Sequence, residues 1–205
     1  MSAAGLFEEP DGATPLDPDD ARGLIPTWVA TREELNRVEA ENIAKAVVWA
    51  ASGRGPDTLA ALLSDAALRN LHRRMYGDVW RWAGTYRSCD TNIGTHWPSI
   101  PTEVRDLAAD TVMQTADPSA LAWPADELAV RFHHRLVVIH AFPNGNGRHA
   151  RLAADLLVAL LGRPVFSWGG HDLGEKTAMR AAYLDALRRA DKSQDFAALV
   201  AFARS

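Results

Sequence analysis

The amino-acid sequence predicts an all-α fold that carries one small β-hairpin. Apolar residues recur near helical spacing through most of residues 31–203, and Gly and Pro residues interrupt them at intervals. Residues 86–101 are too polar and too broken for a helix. Their Thr, Tyr, Asn-Ile-Gly and Trp-Pro residues favour a short, twisted hairpin. The composition, 47% hydrophobic and 23% charged, is typical of a globular protein and excludes wholesale disorder.

The helices follow from their start and stop signals. Thr31 and Glu34 form a capping box, which predicts a helix over 31–52 that Gly53 to Pro56 ends. A second helical stretch covers 58–76, with Ser64 as a candidate internal cap. Gly145 and Gly147 lie in a loop between two strongly apolar helices. The remaining helices are predicted at 102–115, 125–140, 148–161, 173–189 and 195–203.

The length of 205 residues suits one domain with an appendage. Residues 1–23 are rich in Pro, Asp, Gly and Ala and predict a flexible acidic arm, and residues 24–205 form the domain. Residues 1–20 contain six acidic residues and no Lys or Arg, so the rest of the chain has a net charge of only +2. No broad basic face for nucleic acid is predicted.

The single cysteine, Cys89, excludes a disulfide framework and a Cys-rich zinc site. No apolar run approaches the roughly 20 residues that a membrane span needs, and the N-terminus lacks a signal-peptide pattern. A cytoplasmic protein without membrane contact is the expectation.

The most informative segment is the loop His140-Ala-Phe-Pro-Asn-Gly-Asn-Gly-Arg-His-Ala-Arg151. Backbone N–H groups in a glycine-containing loop that leads into a helix can surround phosphate oxygens. Arg148 and Arg151 are three residues apart, so they lie on one face of that helix, and guanidinium groups match phosphate geometry. His140 lies beside them and is expected to titrate near neutrality as a general base. These residue types suit attack by a hydroxyl group on a nucleotide phosphorus.

This loop resembles the signature of the Fic (filamentation induced by cAMP) family, H-x-F-x-[DE]-G-N-G-R-x-x-R. Residues 82–87, Trp-Ala-Gly-Thr-Tyr-Arg, followed by the irregular segment, are similar to the family's target-docking flap, and we call residues 86–101 the flap. Residues 183–187 resemble a late helix of the family. Residues 24–27 and the Ala-Phe-Pro-Asn sequence resemble the subgroup labelled mobile mystery protein B. Seven fixed positions of the signature match: His140, Phe142, Gly145, Asn146, Gly147, Arg148 and Arg151.

The resemblance implies a Fic-type helical bundle that transfers AMP from ATP to a Ser, Thr or Tyr hydroxyl of a target protein. By position, His140 would be the base, and Phe142 would anchor the loop in the core. Arg148 and Arg151 would hold the outer phosphates. The other implied nucleotide-binding residues are Asn144, Gly145, Asn146 and Gly147.

The sequence departs from the signature at Asn144, where the family has the Asp or Glu that holds Mg²⁺. An amide oxygen can bind Mg²⁺ or its waters but has no charge. Mg²⁺ is therefore expected, with Asn144 as a weakened ligand. The alternatives are that the nucleotide provides most of the metal's ligands, that turnover is slow, or that the donor or the reaction differs.

Self-inhibited relatives carry a helix resembling [ST]-x-x-x-E-[GN], and Glu41-Asn42 fits the end of that pattern, although Arg37 replaces the Ser or Thr. Glu41 is the candidate inhibitory residue and would pair with Arg151. A solvated acid on an amphipathic helix is the alternative. Similarly, Asn146 could serve only as a helix cap.

The expected partner is a target protein docked on the flap through main-chain pairing at a hairpin edge, with an ordinary surface hairpin as the alternative. The resemblance also implies a separate small antitoxin or helix-turn-helix partner. Two rival functions stay open: another nucleotide-dependent phosphotransferase, and a non-catalytic protein that binds nucleotide or a partner. Against a kinase, Gly145-Asn146-Gly147 is intact, whereas kinase-like relatives replace the second glycine with lysine.

Overall fold

The computed structural model describes residues 18–117, 119–170 and 176–205, and these are helical with irregular connections. Most of the predicted acidic arm, residues 1–17, lies outside the described residues. No helix in the described part of the chain is both long enough and apolar enough to cross a membrane. The helices are α1 (Pro18–Ala21), α2 (Arg32–Trp49), α3 (Leu59–Leu62), α4 (Asp65–Tyr76), α5 (Ile100–Gln114), α6 (Ala125–Ile139), α7 (Asn146–Leu160), α8 (Lys176–Ser193) and α9 (Ala197–Arg204).

Helices α6 and α7 pack closely against each other at the centre of the fold. Both helices contain fully buried alanines, and such small side chains allow neighbouring helix backbones to approach closely. Larger buried side chains fill the space around them, including Phe132 and Leu157. Helix α2 packs on α4, and α9 contacts α6 and α8. The buried alanines are Ala129, Ala150, Ala153 and Ala154.

The start signals read from the sequence are confirmed. Thr31 caps α2 by accepting from the Glu34 N–H at 3.2 Å, and the Glu34 carboxylate accepts from the Thr31 N–H at 3.1 Å, which completes the capping box. Ser64 caps α4 in the same way, by accepting from the Ala67 N–H at 3.1 Å. The predicted helix over 58–76 therefore divides into α3 and α4 at that serine.

The predicted β-hairpin is not formed. The described residues contain no strand, and the flap consists of bends, turns and a short 3₁₀ turn at Trp97–Ser99. The guanidinium of Arg87 lies between the two arms of the flap, residues 86–90 and 94–99, and donates to the carbonyls of Cys89 and Thr95. Asp90 accepts from the Trp97 N–H at 2.8 Å. Side chains thus form hydrogen bonds with backbone groups that would pair with each other in a β-hairpin.

Candidate active site

Helix α6 ends at His140, whose backbone is left-handed with φ 52° and ψ 56°. Glycine usually occupies such a position, because a side chain there costs about 1–2 kcal/mol. The His140 N–H donates to the Leu136 carbonyl at 3.1 Å and closes the last turn. The chain then turns sharply, so His140 lies at the junction of helix and loop.

Asn146 closes the loop on itself. Its amide oxygen accepts from the Phe142 N–H at 2.9 Å, and its amide nitrogen donates to the Phe142 carbonyl at 2.7 Å. The side chain is buried and both of its polar atoms are bonded to Phe142. Asn146 therefore closes the loop through two hydrogen bonds to Phe142, and we call this pair of hydrogen bonds the clasp. Direct contact of Asn146 with phosphate stays a prediction.

Two residues of α4 hold the loop in place. The His72 ring lies 3.8 Å from the Phe142 ring, centroid to centroid, in a stacked arrangement. His72 Nδ1 accepts from the Gly84 N–H at 3.0 Å, so its other ring nitrogen carries the proton and donates to the Asn144 carbonyl at 3.0 Å. Burial holds the pKa of His72 well below its usual range, which keeps this neutral form. A Cβ at Gly145 would lie 2.5 Å from Tyr76 Cζ, so only glycine fits.

The loop leads into the N-terminus of α7, a 15-residue helix with no acidic residue in its first turn. The N–H groups of the first turn have no partner within the helix, and the helix dipole makes this end positive. Gly147 lies in this turn, and a Cβ there would approach only the Tyr183 hydroxyl, at 4.0 Å. This end of α7 suits a phosphate group. The Gly145 N–H, also predicted to bind phosphate, donates to the Asn144 amide oxygen at 2.6 Å.

Arg148 and Arg151 follow on the same helix, as the sequence predicts. Arg148 lies over the Tyr76 ring, with its Cζ 5.2 Å from the ring centroid. Arg151 lies over the Tyr183 ring of α8 at 4.4 Å, and Tyr183 in turn hydrogen-bonds to His133 at 3.1 Å. The structure therefore brings both guanidinium groups to the first turns of α7.

The acidic residue at this site is Glu39, not Glu41. Glu39 is only 4% exposed; its carboxylate lies 2.7 Å from Arg148 Nη1 and accepts from Trp80 Nε1 at 2.7 Å. Glu41 lies on the exposed side of α2, so the expected pairing with Arg151 is not formed. Two positions along a helix amount to about half a turn, so the two acids point in nearly opposite directions.

Sequence reasoning missed Glu39, although the signal was present. Positions 35, 39, 42 and 46 follow the helical repeat and all are buried. A glutamate in register with that stripe must face the core, and a buried carboxylate needs a cationic partner. His72 and Tyr183 carried no comparable signal, because only the tertiary packing places them beneath the loop and Arg151.

His140 is buried more deeply than the sequence suggested. It is 7% exposed, and its pKa is lowered to about 4, first by burial and then by the positive charge of Arg87. The expectation of titration near neutrality is therefore wrong. At pH 7 the imidazole is neutral and can accept a proton.

The residues present do not form a site for Mg²⁺. The amide oxygen of Asn144 accepts from the Gly145 N–H, and it has no charge to offer a cation. Within the described ranges, no three His, Cys, Asp or Glu side chains lie together in a group that could hold a metal ion. Mg²⁺ binds in proteins through one or two carboxylates together with substrate phosphates. The described residues thus supply no carboxylate ligand set, and we assign no step to the metal.

Comparisons with known proteins agree with this geometry. The model of the Fic/DOC family matches residues 62–158. The probable protein adenylyltransferase y4lH of Sinorhizobium fredii is 30% identical over 148 residues, covering 68% of this chain and 70% of that protein. The protein adenylyltransferase fic-1 of Caenorhabditis briggsae is 36% identical over 95 residues, 46% of this chain. The chain spans only 19% of the length of that relative.

Solved structures show the same fold. The N-terminal Fic domain of a Bartonella quintana effector superposes with a TM-score of 0.66 at 17% identity, covering 87% of this chain and 84% of that one. The BepC protein of Bartonella tribocorum, solved with bound AMPPNP, has a TM-score of 0.65 at 16% identity and covers 92% and 97% of the two chains.

Proposed function

Because this chain belongs to the Fic/DOC family, we propose that it is a protein adenylyltransferase, which transfers AMP from ATP to a hydroxyl group of a target protein. The observation that carries the proposal is the first turn of α7, where Arg148 and Arg151 follow a helix N-terminus without acidic residues, which begins six positions after His140 at the end of α6. The relatives named as adenylyltransferases, and the BepC structure with AMPPNP, support ATP as the donor.

In the proposed reaction, the neutral imidazole of His140 accepts the proton of the target hydroxyl as its oxygen attacks the α-phosphorus. The bond between that phosphorus and the bridging oxygen breaks, and pyrophosphate leaves. General base catalysis of this kind contributes about 10²–10⁴-fold. The N–H groups of α7 and the two arginines stabilise the charge that develops on the leaving phosphates.

The target is proposed to dock on the flap, which adjoins His140. Ile93 and Trp97 of the flap are 45% and 41% exposed and offer apolar contacts to a bound segment. The sequence predicts that the target pairs with a strand edge of the flap, but the flap has no strand. We therefore propose that side-chain contacts contribute more to target recognition than main-chain pairing does. Membership of the mobile mystery protein B subgroup, a separate antitoxin or helix-turn-helix partner, and a cytoplasmic location are part of the same proposal.

The deciding experiment incubates the protein and a cell extract with ATP labelled at either the α- or the γ-phosphate. Transfer of the α label to protein, above the level in extract without this chain, supports the proposal. Transfer of only the γ label above that background would instead establish a kinase, and ATP binding without added transfer would establish a nucleotide-binding protein. His140→Ala should abolish the α signal, whereas His134→Gln, on the same helix and paired with Asp191, should preserve it.

A further inference from the structure

The flap holds the backbone of the catalytic turn. Three consecutive carbonyls, those of residues 139–141, all accept hydrogen bonds from flap residues. The Ile139 carbonyl accepts from the Thr95 N–H at 3.2 Å, and the Ala141 carbonyl accepts from the Arg87 N–H at 3.0 Å. The His140 carbonyl accepts from Arg87 Nε at 2.7 Å. The base is therefore fixed between the two arms of the flap.

Arg87 connects these contacts. Its side chain is 1% exposed, and besides the His140 carbonyl it donates through Nη1 to the Cys89 carbonyl at 2.7 Å. Nη2 donates to the Thr95 carbonyl on the other arm. A guanidinium has five N–H donors in a rigid plane and can donate to carbonyls on several sides at once. The ammonium group of a lysine, on its flexible chain, does not reproduce this arrangement.

Gly94 brings the other arm directly against the base. Its φ is +107°, and an added Cβ would lie 2.7 Å from His140 Cβ and 2.8 Å from Arg87 Nη2. No real Cβ tolerates such distances, so any side chain at position 94 would push the flap away from the base. Two independent features thus hold the flap against His140: the hydrogen bonds from Arg87 and the close approach of the Gly94 backbone.

We propose that Arg87 is a positioning residue, which holds the flap and His140 as one unit so that a docked hydroxyl meets the base at a fixed distance. The inference rests on the proposed transfer reaction. His140 keeps an unfavourable left-handed backbone, and the flap donors to residues 139–141 hold it there. A displacement of about 1 Å between reacting groups can cost about 100-fold in rate. The first turn of α7 lies outside these contacts, so ATP binding should not depend on Arg87.

The test compares Arg87→Met and Arg87→Lys with the wild type in the α-label assay. We expect kcat to fall about 10- to 100-fold and the KM for target to rise, while the Kd for ATP changes less than twofold. Arg105→Met removes an exposed arginine that pairs with Asp106 and serves as the control. Full activity of the lysine variant would overturn the proposal, because charge alone would then suffice. An equal loss of ATP binding would also overturn it.

The pH dependence separates positioning from general damage to the fold. The positive charge of Arg87 lowers the pKa of His140, so Arg87→Met should move the acid limb of kcat to higher pH. Gly94→Ala provides a second test that keeps Arg87 and should lower kcat at unchanged ATP affinity. Gly53→Ala is its control, since Gly53 also has a positive φ of 74° but no atom within 4 Å of the added Cβ.

The outcomes distinguish the two proposals. If the wild type transfers no α label, the proposed function fails. If the wild type is active and both Gly94→Ala and Arg87→Met match their controls, only the positioning role of Arg87 fails.

Discussion

Replacing Glu39 with Gln should increase the affinity for ATP. The carboxylate of Glu39 lies 2.7 Å from Arg148 Nη1, so the phosphates of ATP must compete with it for that guanidinium. Glutamine keeps the size of the side chain and an oxygen that can accept from Trp80 Nε1, and it removes only the negative charge. The substitution therefore addresses the charge pair with little change in packing.

The size of the effect follows from the burial of the pair. A hydrogen bond between charged groups contributes about 1.5–3 kcal/mol when it is well shielded. The side chain of Arg148 is 39% exposed, and solvent screening reduces that contribution to about 1–2 kcal/mol. The KM for ATP should accordingly fall about 5- to 30-fold, since a factor of ten corresponds to 1.4 kcal/mol.

The assay measures KM for ATP from initial rates of α-label transfer, and Kd by calorimetry on the His140→Ala background, where no turnover consumes the nucleotide. Glu41→Gln is the matched control, because it removes the same charge from the exposed side of the same helix. A tighter Kd in both variants would mean that general charge, not the pair with Arg148, controls binding. A weaker Kd for Glu39→Gln would refute the reasoning outright.

Four further predictions concern the buried histidines, Tyr183 and the loop. Burial lowers the pKa of His140 to about 4, so kcat should fall to half of its plateau value near pH 4 as the pH is lowered. A half-maximal kcat near pH 6.5 would mean that His140 is solvated during turnover. His140 and His149, whose pKa is also about 4, stay neutral when folded and bind protons when unfolded, so stability should decrease as pH falls below 6.5, by about 2 kcal/mol for each between pH 7 and 5. Urea unfolding at the two pH values measures this, and equal stabilities would contradict it. Tyr183→Phe removes the hydrogen bond to His133 but keeps the ring beneath Arg151, so it should cost about 1 kcal/mol of stability and raise the KM for ATP less than Tyr183→Ala does. Equal KM values would show that the ring does not support Arg151. Asn146→Ala removes both bonds to Phe142 and should lower stability by about 1–3 kcal/mol and abolish transfer; retained activity would show that the loop keeps its shape without the clasp.

Local signals in the sequence predicted the helices well. The capping box at Thr31 and the cap at Ser64 act over three residues, so neighbours along the chain determine them. The apolar spacing of α6 and α7 likewise predicted two buried helices joined by a short loop. Helix α7 nevertheless begins at Asn146, two residues before the predicted start, because Gly145 adopts a left-handed conformation with φ 81° and caps the helix there.

The errors arose where distant residues determine the outcome. The flap has the composition of a hairpin, but a buried arginine between its arms replaces the strand ladder, and no local pattern reveals that insertion. The pKa of His140 depends on burial beneath a segment some 50 positions earlier in the chain. Glu41 matched a short pattern, whereas the helical register, which placed Glu39 inward, was the stronger physical signal.

The buried alanines of α6 and α7 have a consequence for the loop that joins these helices. A methyl group has no rotamers, so at these positions the packing of the two helices does not change through side-chain rearrangement. Fewer alternative side-chain arrangements are therefore available to shift the two helices, and with them the ends of the loop. The loop thus begins and ends on helices whose packing includes side chains that have no alternative rotamers.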